Sequence, residues 1–238
     1  MKLLIDIGNT SAKLAVADDE IVHVERLTET WDAALSRLVN SYGITSVRIS
    51  TVVNDNTEIH DFIGKSHIPS LWLSSNLPYP SVPLRNVPKG FGADRWAADV
   101  GAMSLAPQCT ILVIDAGTCI TYDVISAAGE FLGGAISPGV QLRLTAMHEH
   151  TARLPLIVAT DETSDVLGHD THASMLSSAI NGTRFEIEGY IRHLLTVHPD
   201  LHVFITGGNE LSLSADISCP ITYVPHLVFI GLNALPMA

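Results

Sequence analysis

The sequence has few cysteines, and none of them lies in a pattern typical of a metal site or a disulfide framework. Cys109, Cys119 and Cys219 are odd in number and far apart, and no C-x-x-C pair occurs. A zinc knuckle and a disulfide-stabilised secreted fold are therefore not indicated. We expect three reduced and mostly buried thiols, as in a reducing compartment.

Long apolar runs are absent as well. The N-terminal segment MKLLIDIGNT is interrupted by Asp6 and is too short for the apolar core of a signal peptide. No stretch of about 18 apolar residues occurs, so no transmembrane helix is expected. Together with the isolated thiols, this predicts a cytoplasmic protein without a membrane partner.

Positive charge is scarce. The chain has 13 lysines and arginines against 25 aspartates and glutamates, which gives a net charge of −12 at pH 7. Such a chain has no general electrostatic attraction for nucleic acid or for an anionic membrane. A polyanionic ligand would have to be bound locally, by backbone N–H groups, one or two placed cations and a metal ion.

What is present indicates a globular α/β protein. Hydrophobic residues make up 47% of the 238 residues, which is ample for one large domain or two small ones. Apolar runs and amphipathic stripes alternate along the chain. The pattern predicts strands at Lys2–Ile7, Ala12–Ala17, Ile44–Val53, Ser70–Leu73, Thr110–Ile114 and His202–Ile205. It predicts helices at Thr28–Asn40, Glu58–Gly64, Asp94–Leu105, Val140–His148 and Thr171–Val197, and a last helix near the C-terminus.

The two halves of the chain carry the same motif. LLIDIGNTSAKLAV near the start and ILVIDAGTCITYDVI from Ile111 both consist of an apolar strand, Asp-x-Gly and a polar residue, and a second apolar strand. Asp6 matches Asp115, and Gly8 matches Gly117. This indicates an internal duplication, with an N-terminal lobe over residues 1–107 and a C-terminal lobe over residues 108–238.

The first hairpin has the composition of a phosphate-binding loop. A glycine at the tip lets backbone N–H groups approach a phosphate closely, while Asn9, Thr10 and Ser11 add donors and Lys13 adds a positive charge. Asp6 at the strand end could hold hydrated Mg²⁺. Taken alone, the segment fits an ordinary hairpin turn equally well.

Its repetition at Asp115-Ala-Gly-Thr118 strengthens the phosphate-binding interpretation of both hairpins. A pair of such hairpins resembles the nucleotide-binding device of the actin, Hsp70 and sugar-kinase superfamily. Thr206-Gly-Gly208 after a predicted strand could lie against a nucleotide, although a plain turn explains it as well. His169 and His172 could share a metal, but no further ligand is suitably spaced, so a solvated surface is preferred.

A fourth motif, Gly92-Ala-Asp94-Arg95, opens a predicted helix. An aspartate in the first turn is often there only because the helix dipole favours it. In the functional interpretation, Asp94 accepts a proton from an attacking hydroxyl and Arg95 binds a carboxylate or phosphate. Phosphoryl transfer needs only a weak base of this kind, because positioning and charge neutralisation supply most of the catalysis.

In this order along nearly the whole chain, DIGNTSAKLAV, GADR, DAGTCITYD, GGAISPGV and TGG resemble the motifs of type III pantothenate kinases. The resemblance implies a two-lobed actin-like (ribonuclease H-like) α/β fold with duplicated halves. It also implies ATP-dependent phosphorylation of pantothenate to 4'-phosphopantothenate, the first step of coenzyme A synthesis. It further implies ATP with Mg²⁺ and an activating K⁺ or NH₄⁺ ion as cofactors. It also implies a homodimer with the active site at the interface.

The resemblance also implies roles for individual residues. Asp94 resembles the general base, Asp115 the ligand of the monovalent cation, and Asp6 a residue near Mg²⁺. ATP would be bound by Asp6, Ile7, Gly8, Asn9, Thr10, Ser11, Ala12, Lys13 and Thr118. Pantothenate would be bound by Gly92, Ala93, Asp94 and Arg95, with Arg95 near its carboxylate, and by Thr171 of the dimer partner.

The segment before Gly92 departs from the family pattern. Family members usually carry a tyrosine a few residues before this motif, but the segment here is Asn86-Val-Pro-Lys-Gly-Phe91, and Tyr79 lies further upstream. Two alternatives stay open at this point. One is a kinase or phosphatase of the superfamily that acts on a sugar or a short-chain acid, and the other is a non-enzymatic accessory regulator of the same fold.

Overall fold

Two five-stranded sheets with the same strand order form the framework of the chain. The computed structural model describes residues 1–54, 56–76, 84–159, 165–208 and 213–236. The strands are β1 (Lys2–Ile7), β2 (Ala12–Ala17), β3 (Ile21–Arg26), β4 (Ser46–Thr51), β5 (Ser70–Ser74), β6 (Ile111–Ala116), β7 (Cys119–Ile125), β8 (Phe131–Pro138), β9 (His202–Gly207) and β10 (Ile221–Tyr223). The helices are α1 (Trp31–Tyr42), α2 (Thr57–Ser66), α3 (Ala93–Leu105), α4 (Val140–Glu149), α5 (Thr171–Leu195) and α6 (Leu227–Ala234).

The predicted duplication is confirmed by the sheet topology. One sheet has the order β3-β2-β1-β4-β5, and the other, read in the matching direction, has the order β8-β7-β6-β9-β10. In both sheets the central strand pairs in parallel with a strand that comes later in the chain. In the first sheet, β1 pairs with β4, and in the second, β6 pairs with β9. The α/β class and the repeated halves predicted from the sequence are therefore present.

Most predicted elements occur with shifted ends. The helix predicted from Thr28 begins at Trp31 because Thr30 is its N-cap, and it ends before Gly43, which has a left-handed conformation with φ of 60°. The strands β3, β8 and β10 were not predicted. The described residues contain no helix with the length and hydrophobicity needed to span a bilayer.

The chain divides into two compact units. Unit 1 contains the described residues within Met1–Pro107, Ile125–Leu132 and His226–Ala238, and unit 2 those within Gln108–Val124 and Gly133–Pro225. Unit 1 therefore includes the turn between β7 and β8 and the last helix, α6. The lobe boundary after residue 107 that the sequence suggests stays a prediction.

In unit 1 the sheet is covered on both faces. One face of β1 presents Leu3, Ile5 and Ile7 to a core that includes Leu35 and Leu38 of α1 and Ile59 of α2. On the other face of the sheet, α6 packs against β1 and β4, and α3 packs against β4. Because side chains alternate along a strand, Lys2, Leu4 and Asp6 lie on the face toward α3 and α6.

Polar contacts hold the end of α6 on this second face. Arg48 of β4 is 4% exposed, and its Nη1 donates hydrogen bonds to the carbonyl oxygens of Leu232 at 2.9 Å and Asn233 at 2.6 Å. Lys2 Nζ donates to Asn233 Oδ1 at 2.8 Å. These cations satisfy carbonyl groups at the negative end of the helix dipole, so they fix α6 across β1 and β4.

Helices α3 and α6 cross at very short range. A Cβ atom on Gly231 would lie 1.8 Å from the carbonyl oxygen of Ala97, and one on Gly101 would lie 2.4 Å from that of Leu227. The two backbones can approach this closely only because both positions are glycine. The crossing therefore sets the position of α3, which carries Asp94 and Arg95 in its first turn.

Unit 2 has two cores along one long helix. Ile187 and Ile191 in the second half of α5 pack with Leu112 and Ile114 of β6 and other sheet residues. Met175 and Ala179 in its first half belong to a separate cluster with Val140 and Leu144 of α4. Helix α5 therefore links the sheet to α4 within this unit.

We predict that Gly231→Ala lowers the free energy of unfolding by about 3 kcal/mol, because the added methyl group collides with rigid backbone. Urea unfolding measured by circular dichroism checks this. Gly64→Ala is the matched control, since Gly64 lies in a helix of the same unit with nothing within 4 Å of an added Cβ. A loss of stability in the control as large as that in Gly231→Ala would contradict the close crossing.

Candidate active site

The predicted phosphate-binding loop is the tight turn between β1 and β2. Gly8 N donates to Ser11 O at 3.1 Å and closes the turn. Asn9 and Thr10 at its tip are exposed, whereas Ile7 before it is buried in the core. The closed turn thus has an exposed polar tip next to a buried strand, which suits a phosphate-binding loop.

Asp6 and Lys13 are opposite one another in this hairpin. They are register partners in the antiparallel pair, so their side chains are on the same face, the one that α6 covers. A single carboxylate at a strand end suits Mg²⁺, which keeps several waters and takes further oxygens from substrate phosphates. Asp6 therefore fits this ion, and among the described residues no cluster of three or more His, Cys, Asp or Glu side chains forms an all-protein metal cage.

His226, the residue before α6, lies close enough to this hairpin to sense its charge. Burial and, secondly, the charge of Lys13 lower the pKa of the His226 imidazole below its usual value of 6.5. The ring is therefore neutral near pH 7 and adds no second positive charge beside Lys13. No sequence pattern marks His226, since only the packing of α6 brings it near the hairpin.

The Gly92–Arg95 motif forms the N-terminus of α3, as predicted. Gly92 is the N-cap, and Arg95 N donates to Asp94 Oδ1 at 2.8 Å. A Cβ atom on Gly92 would lie 2.5 Å from Asp94 Oδ1, so glycine is needed for this carboxylate position. The guanidinium of Arg95 lies over the ring of Phe91, a residue that the sequence patterns did not single out.

In unit 2, Asp115 lies at the end of β6 and Thr118 lies in the turn between β6 and β7. Asp115 is next to the last residue of β6 and pairs in register with Thr206 of β9, while Thr118 is exposed. Gly117 N donates to Cys119 O at 3.1 Å, much as Gly8 N bonds Ser11 O in unit 1. Both hairpins therefore begin their turn with a glycine N–H that closes it, but the bond spans three residues in the first turn and two in the shorter second one.

Two glycines from distant motifs enclose this second turn. Gly139 N donates to Thr118 O at 2.9 Å, and a Cβ on Gly139 would lie 2.3 Å from Gly117 O. Gly207 has φ of 101°, and its Cβ would lie 2.6 Å from the carbonyl of Ala116. Gly139 of GGAISPG and Gly207 of TGG are thus required for close approach to the segment Asp115–Thr118, whereas an added Cβ on Gly133 or Gly208 would meet nothing within 4 Å.

Thr171 is the first residue of α5. Asp170 caps this helix by accepting a hydrogen bond from Ala173 N at 2.8 Å. Thr171 lines an open cavity of about 480 Å³ together with Ser174, Ser178 and the apolar side chain of Met175. A threonine hydroxyl at a capped helix start, beside apolar surface, can contact a ligand that is part polar and part apolar.

A hydrogen-bonded network around Glu186 fixes α5 within unit 2. Tyr122 OH donates to Glu186 Oε1 at 2.8 Å, Ser137 Oγ donates to the same oxygen, and Arg143 Nη2 donates to Oε2. Burial would raise the pKa of Glu186, but these donors outweigh it and hold the pKa below 4.5. Burial and the neighbouring Glu186 raise the pKa of the Tyr122 phenol, so it stays a donor. The network joins β7, β8 and α4 to the helix that begins with Thr171.

The predicted site residues are thus divided between the units. Unit 1 holds the segment from Asp6 to Lys13 and the segment from Gly92 to Arg95, and unit 2 holds Asp115, Thr118 and Thr171. Tyr79 lies outside the described residues. His169 lines the cavity beside Thr171, and neither it nor His172 belongs to a metal-binding group within the described ranges.

Comparison with known proteins identifies one family over most of the chain. The family model of type III pantothenate kinases matches residues 2–193. A type III pantothenate kinase of Bacteroides fragilis is 39% identical over 236 residues, which cover 99% of this chain and 97% of the relative. One of Porphyromonas gingivalis is 36% identical, with 98% of this chain and 96% of the relative covered.

Solved structures agree with the fold at lower identity. A protein of Campylobacter jejuni described as a Baf family transcriptional activator has a TM-score of 0.58 at 21% identity, covering 97% of this chain and 95% of its own. The activator of 2-hydroxyisocaproyl-CoA dehydratase from Clostridium difficile, with bound ADPNP, has a TM-score of 0.53 at 13% identity. The match covers 98% of this chain and 92% of that one. Such likenesses show the fold alone, and they support the actin-like fold predicted from the paired hairpins.

We predict that Glu186→Gln lowers the free energy of unfolding by about 2 kcal/mol at pH 7, because three donors lose their charged acceptor. The pKa of Glu186 is lower in the folded state, so its stabilisation is present above pH 4.5 and is lost as the pH falls through the folded value. The difference from wild type should therefore shrink below pH 4.5.

Urea unfolding at a series of pH values measures this difference. Glu149→Gln, an exposed position in α4, is the control and should show no comparable change. A Glu186→Gln difference that stays constant down to the lowest pH would contradict a charged carboxylate at the centre of this network.

Proposed function

We infer, because this chain belongs to the type III pantothenate kinase family, that it uses ATP to phosphorylate the primary hydroxyl of pantothenate, the first step of coenzyme A synthesis. The observation that carries this is the extent of the match. Residues 2–193 include every predicted site residue from Asp6 to Thr171, and relatives cover almost the full chain. A cytoplasmic location, where ATP is available and thiols stay reduced, is part of the proposal. The three cysteines are free, but the expectation that they are mostly buried is wrong, since Cys119 is exposed and Cys109 and Cys219 are half-buried.

We assign the β- and γ-phosphates of ATP to the turn after β1. Its backbone N–H groups and the side chains of Asn9, Thr10 and Ser11 would donate to phosphate oxygens, and Lys13 would neutralise part of their charge. Asp6 would hold the Mg²⁺ that accompanies ATP, and the ion would supply positive charge beside the phosphates. The tight Gly8–Ser11 turn supports this role because it fixes the donors before ATP arrives.

Asp94 is the proposed general base. Its Oδ1 already accepts the hydrogen bond from Arg95 N, so we assign Oδ2 to the proton of the pantothenate hydroxyl. The hydroxyl oxygen forms the new bond to the γ-phosphorus as the bond to the β,γ-bridging oxygen breaks and ADP leaves. The substrate's other end, its carboxylate, would pair with the guanidinium of Arg95 in the same turn of α3.

The hairpin of unit 2 receives the remaining assignments. Thr118 is exposed at the turn and would contact ATP, and Asp115 would hold a monovalent cation such as K⁺. A carboxylate beside backbone carbonyls provides the oxygen ligands that a weakly charged cation needs. Enclosure of this turn by Gly139 and Gly207 supports the assignment, since it leaves the turn little freedom to rearrange.

A homodimer with shared active sites completes the proposal. Among the described residues, large apolar side chains exposed by more than a third occur mainly in unit 2. Leu156, Val158, Val166 and Leu167 are 54–76% exposed. These four lie in the described parts of the connection between α4 and α5, which leads to the helix that carries Thr171. Such exposure is typical of a surface that a partner covers, so we place a second copy there, with Thr171 reaching its partner's pantothenate.

For the wild-type enzyme we predict ADP release that depends on pantothenate and is faster in potassium than in sodium buffer.

Asp94→Asn should lower turnover about 1000-fold while ATP binding and thermal stability stay unchanged, because the amide keeps the shape but cannot accept the proton. A coupled ADP assay with and without pantothenate measures this. Near-normal turnover in the variant would refute the general-base role, and equal rates in the two salts would refute the cation site.

Mixing two inactive variants tests the shared site. Asp94→Asn and Thr171→Glu should each be inactive alone, since the glutamate repels the pantothenate carboxylate while suiting a first helical turn. If Thr171 acts in the partner's site, re-equilibrated equimolar mixtures should recover about a quarter of wild-type activity, because half the dimers would carry one intact site. No recovery, with dimers verified by sedimentation, would show that Thr171 acts within its own subunit.

A further inference from the structure

Arg95 lies directly over a buried aromatic ring. Its Cζ atom is 4.3 Å from the centroid of the Phe91 ring, and Phe91 is only 2% exposed. A guanidinium at this distance is attracted by the negative face of the ring, and the attraction strengthens where water is excluded. The contact therefore restricts the rotamers of a side chain that would otherwise sample many.

Phe91 is itself held in a fixed orientation. Its ring packs against that of Phe131 at a centroid distance of 4.9 Å and an interplanar angle of 64°. This is the T-shaped arrangement that aromatic pairs prefer. The Phe91 ring beneath Arg95 is thus held in place by the Phe131 ring, and both rings belong to unit 1.

The backbone around Phe131 is tied to the segment that leads to Phe91. Arg85 N donates to Gly129 O at 2.9 Å, and Phe131 N donates to Arg85 O at 3.0 Å. Arg85 Nη2 also donates to Ala128 O at 2.7 Å. The turn between β7 and β8 is therefore hydrogen-bonded to Arg85, a few residues before Phe91, whose ring lies beneath Arg95.

We propose that Phe91 is a positioning residue that aims the Arg95 guanidinium at the acceptor's carboxylate and so sets the preference for a carboxylate-bearing acceptor. This rests on the proposed function, in which Arg95 pairs with that carboxylate. A leucine or isoleucine would fill the same buried volume, but it would offer no π-face to orient the guanidinium. Bidentate pairing needs the planar fork at a defined angle, so a loosely held Arg95 binds the carboxylate less well.

The test compares pantothenate with the neutral alcohol in which a CH₂OH group replaces its carboxylate. For Phe91→Leu we expect the KM for pantothenate to rise about fivefold to tenfold, the fold-change that corresponds to loss of a partly desolvated cation–π contact. The KM for ATP should stay at the wild-type value. The ratio of kcat/KM for pantothenate to that for the alcohol should fall by the same factor, while Phe91→Tyr, which restores a ring, should keep the ratio high.

Arg95→Met separates this inference from the proposed function. If the ratio does not change in Arg95→Met, Arg95 does not bind the carboxylate and that part of the proposed function fails. If the ratio collapses in Arg95→Met but stays at the wild-type value in Phe91→Leu, the proposed function stands and the role of Phe91 is overturned. Should Phe91→Leu not fold, Phe91→Met, which retains a flexible side chain of similar volume, carries the same expectations.

Discussion

The close crossing of α3 and α6 is the constraint on which the first unit depends. Helix α6 lies on the sheet face that holds Asp6 and Lys13, and its end is fixed there by Arg48 and Lys2. Its glycine lets α3 approach within backbone contact, and the first turn of α3 carries Asp94. A helix with no catalytic motif of its own thus determines where the proposed base lies relative to the proposed phosphate loop.

In the second unit, close backbone packing also fixes the candidate site residues, but no crossing helix takes part. Its turn after β6 is enclosed by the backbone at Gly139 and Gly207, which come from two motifs far apart in sequence. The duplicated sheets therefore share strand order but stabilise their turns by different means. Glycine is essential in both, because only the absence of a Cβ lets backbone segments approach this closely.

Strong periodicity made much of this fold predictable. The repeated Asp-x-Gly hairpins and the α1 stripe follow directly from residue patterns, and the ordered motifs led to the family. Strand β8 was missed because its Gly-rich, Pro-terminated sequence is unfavourable for strands in general, although its exposure alternates as in any half-buried strand. Phe91 was missed for another reason, since its value lies in a contact with Arg95 and Phe131 that only tertiary packing creates. The assignments of single residues to ATP, cation and pantothenate remain predictions.

The discontinuity of unit 1 has a consequence for how the protein is made. The strands around β1 and helix α3 leave the ribosome early, but the helix that covers their second face follows only after residues 106–226 have been synthesised. During that interval the part of this face that α6 covers stays exposed, and Arg48 lacks its carbonyl partners on α6. Contacts of such large sequence separation form slowly and leave intermediates prone to association. Unit 1, whose strands precede those of unit 2 in the chain, is therefore the last to be completed.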